Sequence, residues 1–162
     1  MNHARGTVVV SLLLLVGAGC VKSVREAEIG PENAQKKIMI AVYPSEYKNR
    51  VGQDLADRYK DRAKVKLVSI RTLNSVEYRN YDVLVIIDAL MAWQMFNVDS
   101  NWFVGKIKEQ DTLKKIVLYL TARKPKENYK FQGIDCITGA SVMAGEGAAV
   151  DKISAKVDAL LK

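Results

Sequence analysis

Three short, unbroken apolar runs constrain this chain most: IMIAVY at 38–43, VLVII at 83–87 and IVLYL at 116–120. Each is too short for a buried helix, and branched residues fill them, so they read as strands. A strand that is apolar at successive positions must be covered on both faces, which is the situation of parallel strands between helical layers. The segments between them carry a different period. Residues 48–62 place Val51, Leu55 and Tyr59 at i+4 spacing, one face of a helix. Residues 65–70 form a second strand, and the interleaved Lys64, Lys66 and Ser69 suit a sheet edge. The run at 83–87 is the most continuous and is expected at the centre. Residues 101–113 can hold a helix with Trp102, Phe103 and Ile107 inward, and 134–137 make a short fifth strand. Residues 149–161 close the chain with Val150, Ile153, Val157, Leu160 and Leu161 on one helical face. The span 121–133 contains Pro125 and is too short and polar for a good crossover helix. The expectation is an α/β, three-layer open sheet of about five mostly parallel strands in the order 2-1-3-4-5.

Composition removes several alternatives. With 49% hydrophobic and 27% charged residues over 162 positions, the chain is a one-domain folded protein rather than a disordered one. Its single histidine is His3 and its two cysteines are Cys20 and Cys136, which excludes disulfide scaffolds and zinc fingers.

Residues 1–19 have the layout of an export leader: Arg5, an apolar run at 8–16 broken by Ser11, then Gly17-Ala18-Gly19. Roughly 11 helical residues span about 16 Å, half of a hydrocarbon core about 30 Å thick, so a permanent span is not expected. The stretch Leu15-Val16-Gly17-Ala18-Gly19-Cys20 resembles the signal of bacterial lipoproteins. That resemblance implies that Cys20 becomes the first mature residue and carries a thioether-linked diacylglycerol and an amide-linked acyl chain. It implies a cell-envelope protein with the membrane as a partner. Val21, standing where an inner-membrane retention Asp is common, implies outer-membrane placement in a Gram-negative envelope. The alternative is a plain secretory signal with an incidental Cys20.

Cleavage before Cys20 removes Arg5, so the side-chain charge falls from +7 to +6, and removes His3, leaving no histidine. Ser-His-Asp, Cys-His and His-metal chemistry are then absent in cis. Cys136 reads as a small buried thiol. The expected organisation is a signal peptide at 1–19, a polar tether at 20–35 containing Gly30-Pro31-Glu32-Asn33, and the α/β domain at 36–162.

Ligands of such sheets bind outside the carboxyl ends of the strands, at the reversal of strand order. That selects the loops 44–50, 88–97 and 121–124, with Ser45, Glu46, Tyr47, Lys48, Asn49, Arg50, Asp88, Trp93, Gln94, Thr121, Arg123 and Lys124. Met91, Trp93, Met95 and Phe96 make either a ligand lip, a core edge or a partner-binding patch.

The order of elements over 36–162 resembles flavodoxins. That resemblance sets Ser45 and Asn49 where the family has a hydroxyl and an Asn around the phosphate of flavin mononucleotide. Tyr47, Lys48 and Arg50 replace Thr, Gly and Thr there, and a phosphate would be held by the charges of Lys48 and Arg50. Trp93 and Trp102 fall near the segments that bear flavin-contacting aromatics. Response-regulator receiver domains share the same strand order, and Asp88 and Thr121 match their phosphoacceptor and switch hydroxyl. Their metal-binding acidic pair is replaced by Val42-Tyr43 or Tyr43-Pro44, and their Lys after the fifth strand by Gly139, so phosphotransfer is not expected. A Ser45/Lys48 hydrolase is a third class with only spacing behind it. Scattered Lys and Arg without interleaved aromatics do not predict nucleic-acid binding. The expected function is a lipid-anchored, non-catalytic module that binds a ligand or an envelope protein through Ser45, Lys48, Asn49, Arg50, Trp93 and Thr121. A membrane-tethered electron carrier with bound FMN is the alternative.

Overall fold

A computed structural model describes residues 23–91, 96–125 and 129–162. The three apolar runs become the adjacent strands β2 (Lys37–Val42), β4 (Val83–Ala89) and β5 (Ile116–Thr121), flanked by β3 (Lys64–Ser69) and β8 (Ile137–Gly139). These five are parallel, and β1 (Ala27–Ile29) adds an antiparallel sixth, giving the order β1-β3-β2-β4-β5-β8. The five parallel strands keep the 2-1-3-4-5 order, with β1 added outside it. The fold is a three-layer α/β domain of flavodoxin-like topology.

The strands are apolar throughout because they feed two cores. Side chains alternate between faces along a strand. Ile38, Ile40, Val42, Val83, Val85 and Ile87 therefore pack under α1 (Glu46–Tyr59) and α4 (Glu146–Leu161), against Val51, Leu55, Ile153 and Val157. Met39, Ala41, Leu84, Ile86, Leu118 and Leu120 face the other way, onto Ile70, Leu73, Phe103, Val104, Phe131 and Ile134. On that second face the β3–β4 connection is two 3-10 turns, Ile70–Ser75 and Tyr78–Asn80. Beside them lies α2 (Val98–Lys106), with α3 (Gln110–Leu113) following it in the chain.

Several elements differ from the sequence reading. The expected edge strand at 65–70 is not an edge, because β1 pairs with it: Ala27 faces Leu67 and Ile29 faces Val65. The polarity of β3 is met by acidic partners on the N-terminal segment. Lys64 pairs with Glu28 at 3.0 Å and Glu32 at 2.7 Å, and Glu26 accepts from the Ser69 amide at 3.0 Å. The expected tether at 20–35 therefore belongs to the sheet over Ala27–Ile29.

Trp102 points outward, 73% exposed. The buried stripe of α2 runs through Ser100, Phe103 and Val104, and Trp102, two residues from both Ser100 and Val104, falls on the opposite side of a helix of 3.6 residues per turn. The helix expected at 101–113 breaks at Ile107, which is extended (φ −80°, ψ 115°), and begins earlier because the Asn97 side chain accepts from the Asp99 amide at 2.8 Å. The fifth sheet strand sits later than 134–137. Residues Ile134–Asp135 (β7) instead pair with Lys130–Phe131 (β6) across a two-residue turn. Gln132 (φ 48°) and Gly133 (φ 87°) are both left-handed, as a tight hairpin of this hand requires. That hairpin covers the second core where a crossover helix was not expected.

Candidate functional site

The strand order reverses between β2 and β4, and the carboxyl ends of these strands meet the start of α1 and the start of α2. The connection from β2 is only Tyr43-Pro44-Ser45, because Ser45 caps α1: its extended backbone (φ −157°, ψ 158°) lets Oγ accept from the Lys48 amide at 3.2 Å. Lys48, one turn later, folds back. Its Nζ donates to the same Ser45 Oγ at 3.2 Å and lies 5.2 Å from the centre of the Tyr43 ring. The side chain is 4% exposed.

Asp88 ends the buried part of β4 and is 0% exposed. Its Oδ2 accepts from Ser100 Oγ at 2.5 Å and its Oδ1 from the Ala89 amide at 2.7 Å. Thr121, the last residue of β5, is also buried, and its Oγ1 donates to the Asp88 carbonyl at 3.4 Å. The site is thus two bonded groups, Ser45 with Lys48 and Asp88 with Ser100 and Thr121, which feel each other through the charges of Lys48 and Asp88. Burial pushes the Asp88 carboxyl above its ordinary range, opposed by the Ser100 and Ala89 hydrogen bonds and the Lys48 charge. Burial likewise pushes the Lys48 ammonium below its ordinary range, opposed by the charge of Asp88. Each ion makes the other tolerable in a poorly solvated place.

Of the residues expected at the site, Ser45 and Lys48 share a hydrogen bond and Thr121 stands beside Asp88 at the same end of the sheet, while Asn49 and Arg50 lie elsewhere. Asn49 turns toward the N-terminal segment, donating from Nδ2 to the Ser23 carbonyl at 3.4 Å, and its Oδ1 is buried without a hydrogen-bond partner among the described residues. Arg50 is exposed on the outer side of α1. Trp93 and Met95 lie outside the described residues, as does Cys20. Phe96 is core edge rather than lip, stacked on Phe131 with ring centres 4.2 Å apart, whereas Met91 is exposed. Sequence reasoning missed Ser100, whose hydroxyl at the N-terminal turn of α2 is the closest partner of Asp88. Only its place one helical turn after the cap residue Asn97 could have signalled it.

A flavin phosphate does not fit this arrangement. The hydroxyl of Ser45 is taken by the helix cap and Lys48, the ammonium is turned inward, and the Asp88 carboxylate would repel an anion placed beside it. Asp88 has no exposed oxygen to meet a phosphoryl donor. Among the described residues no group of three or more His, Cys, Asp or Glu side chains is placed to hold a metal ion.

Open cavities lie elsewhere among the described residues. One of about 150 Å³ at the same edge of the sheet is lined by Tyr47, Tyr119, Gly139, Val142 and Lys152. A larger one of about 370 Å³ lies at the amino end of β5, between Leu113, Ile116, Ile134, Lys156 and Leu160, on the side away from the strand reversal.

Comparison with protein-family models, curated proteins and solved structures finds no match to this chain.

Proposed function

We propose that this chain is a lipid-anchored cell-envelope protein whose flavodoxin-like domain is a non-catalytic binding module. The observation that carries the reading is that the polar groups at this edge are taken by protein partners: Ser45 Oγ by the Lys48 amide and Nζ, the Asp88 carboxylate by Ser100 and the Ala89 amide, and Thr121 Oγ1 by the Asp88 carbonyl. A fold of this kind supplies reactive or cofactor-binding groups at that edge when it has such a task. Here those groups stabilise the scaffold, and recognition falls to the exposed surface of the connecting loops. Anchoring at Cys20 is supported by the residues Leu15 to Cys20.

The test is the purified full chain from bacterial membranes. The expected protein is colourless, takes up no added flavin mononucleotide by absorbance or native mass, and carries labelled palmitate that Cys20→Ser abolishes. Stoichiometric flavin uptake that Lys48→Met or Arg50→Ala removes would replace this reading with the electron carrier.

A further inference from the structure

The place where the N-terminal segment leaves the fold coincides with an edge of exposed apolar side chains. Because β1 is antiparallel to β3, the chain preceding Ala27 emerges at the carboxyl end of the sheet. Glu26 holds it there through the Ser69 amide at the end of β3, and Ser23 through the side chain of Asn49 in the first turn of α1. Cys20 is three residues before Ser23, so its sulfur-bearing residue lies within roughly 11 Å of that point even if the chain is fully extended.

That same edge carries most of the large apolar side chains that the described residues expose. Met91 (42% exposed) follows β4, Val98 (72%) begins α2, and Val142 (54%) and Met143 (41%) follow β8. They come from two separate connections, β4–α2 and β8–α4, whose strands stand two places apart in the sheet, roughly 10 Å at about 4.8 Å spacing. Trp102 lies one turn beyond Val98 on the same outer face of α2. Arg25, Arg50, Arg71, Arg123 and Lys124 are exposed at this edge with Glu46, and Asp99 and Glu146 are half-buried there, so charges of both signs flank the apolar side chains.

We propose that the carboxyl edge of the sheet rests on the lipid bilayer, with Met91, Val98, Val142 and Met143 in the boundary between headgroups and acyl chains. This rests on the proposed acylation of Cys20: an anchor so close to the edge holds it at the surface, and scattered side chains too few to bind alone are then in contact at high effective concentration. The opposite, amino end of the sheet faces away from the membrane, toward soluble partners.

The experiment uses the full chain purified from bacterial membranes in a Cys136→Ser background and reconstituted in vesicles of phosphatidylcholine and phosphatidylglycerol. An environment-sensitive fluorophore is placed by Val98→Cys, Val142→Cys or, at the exposed amino end, Asp111→Cys. Mass spectrometry of the N-terminal peptide reports acylation in each sample. The expected result is an acylated peptide, with lipid-borne nitroxide quenching the labels at 98 and 142 several-fold more than the label at 111, unchanged in high salt. An acylated peptide with equal or reversed quenching overturns the docking and leaves the anchor standing. A peptide without acyl chains overturns both.

Discussion

The hydroxyls of Tyr47 and Tyr119 meet at 2.8 Å in the interior, joining α1 to β5 across 72 residues of sequence. Gly139 in β8 is the residue that makes room for them, since a Cβ there would lie 2.1 Å from the Tyr119 hydroxyl. Gly139→Ala is expected to cost about 2 kcal/mol through overpacking of a rigid ring. Tyr119→Phe alone leaves the buried Tyr47 hydroxyl without its partner and is expected to cost about 1–2 kcal/mol. Combined, the two changes should cost less than their sum, because removing the hydroxyl relieves the closest clash. Urea unfolding of the four proteins gives the coupling, and strict additivity would contradict this account.

The Asp88–Lys48 pair predicts a particular pH response. The Asp88 carboxyl is raised by burial, so its contribution to stability is complete below the ordinary value near pH 4 and is lost as pH rises through the folded value. Asp88→Asn should therefore gain on the wild type as pH increases from about 4 toward neutrality. Lys48→Met removes the opposing charge, so in that variant the Asp88 window extends to higher pH. Unfolding midpoints measured over this range should diverge between wild type and Asp88→Asn, and parallel curves would show that the carboxylate is solvated.

Glu26 ties the N-terminal strand to the sheet, accepting from the Ser69 amide at 3.0 Å and the Thr72 hydroxyl at 2.7 Å. The backbone bond from Ser69 is the main reason its carboxyl sits below the ordinary value of 4.5. Its contribution is present above that value and disappears as pH falls through the lowered one. Glu26→Gln is expected to lose about 1 kcal/mol at neutral pH and almost nothing in acid, given its exposure. Hydrogen exchange should locate the loss in β1 and β3 and leave β4 protected.

Burial pushes the Cys136 thiol up to about 11. At pH 8 about one molecule in a thousand then carries the thiolate, which is the reactive form. Disulfide-exchange reagents should label the folded protein very slowly and the urea-unfolded protein rapidly. Fast labelling of the native state would place Cys136 in a different environment.

The layered sheet was legible in the residues because continuous apolar runs admit few arrangements: such strands need cover on both sides, and the helical segments between them supply it. The same patterns identified β2, β4, β5, α1 and α4. Less was legible at the margins. Lys64 and Lys66 look like solvent-facing residues until Glu26, Glu28 and Glu32 arrive from a segment that has no strand pattern of its own. Trp102 looks like core until Phe103 claims the buried stripe.

The candidate site divides in the same way. Fold topology was enough to bring Ser45, Lys48 and Thr121 to the strand reversal, because residue positions along strands and helices follow from local periodicity. Whether their polar atoms face a ligand or one another was decided only in three dimensions. Lys48 folds back onto the Ser45 hydroxyl that caps its own helix, and the Asp88 carboxylate is met by Ser100, 12 residues later. Local pattern encodes which side of an element is apolar. The partners of a buried charge are drawn from distant parts of the chain, and only the packed structure selects them.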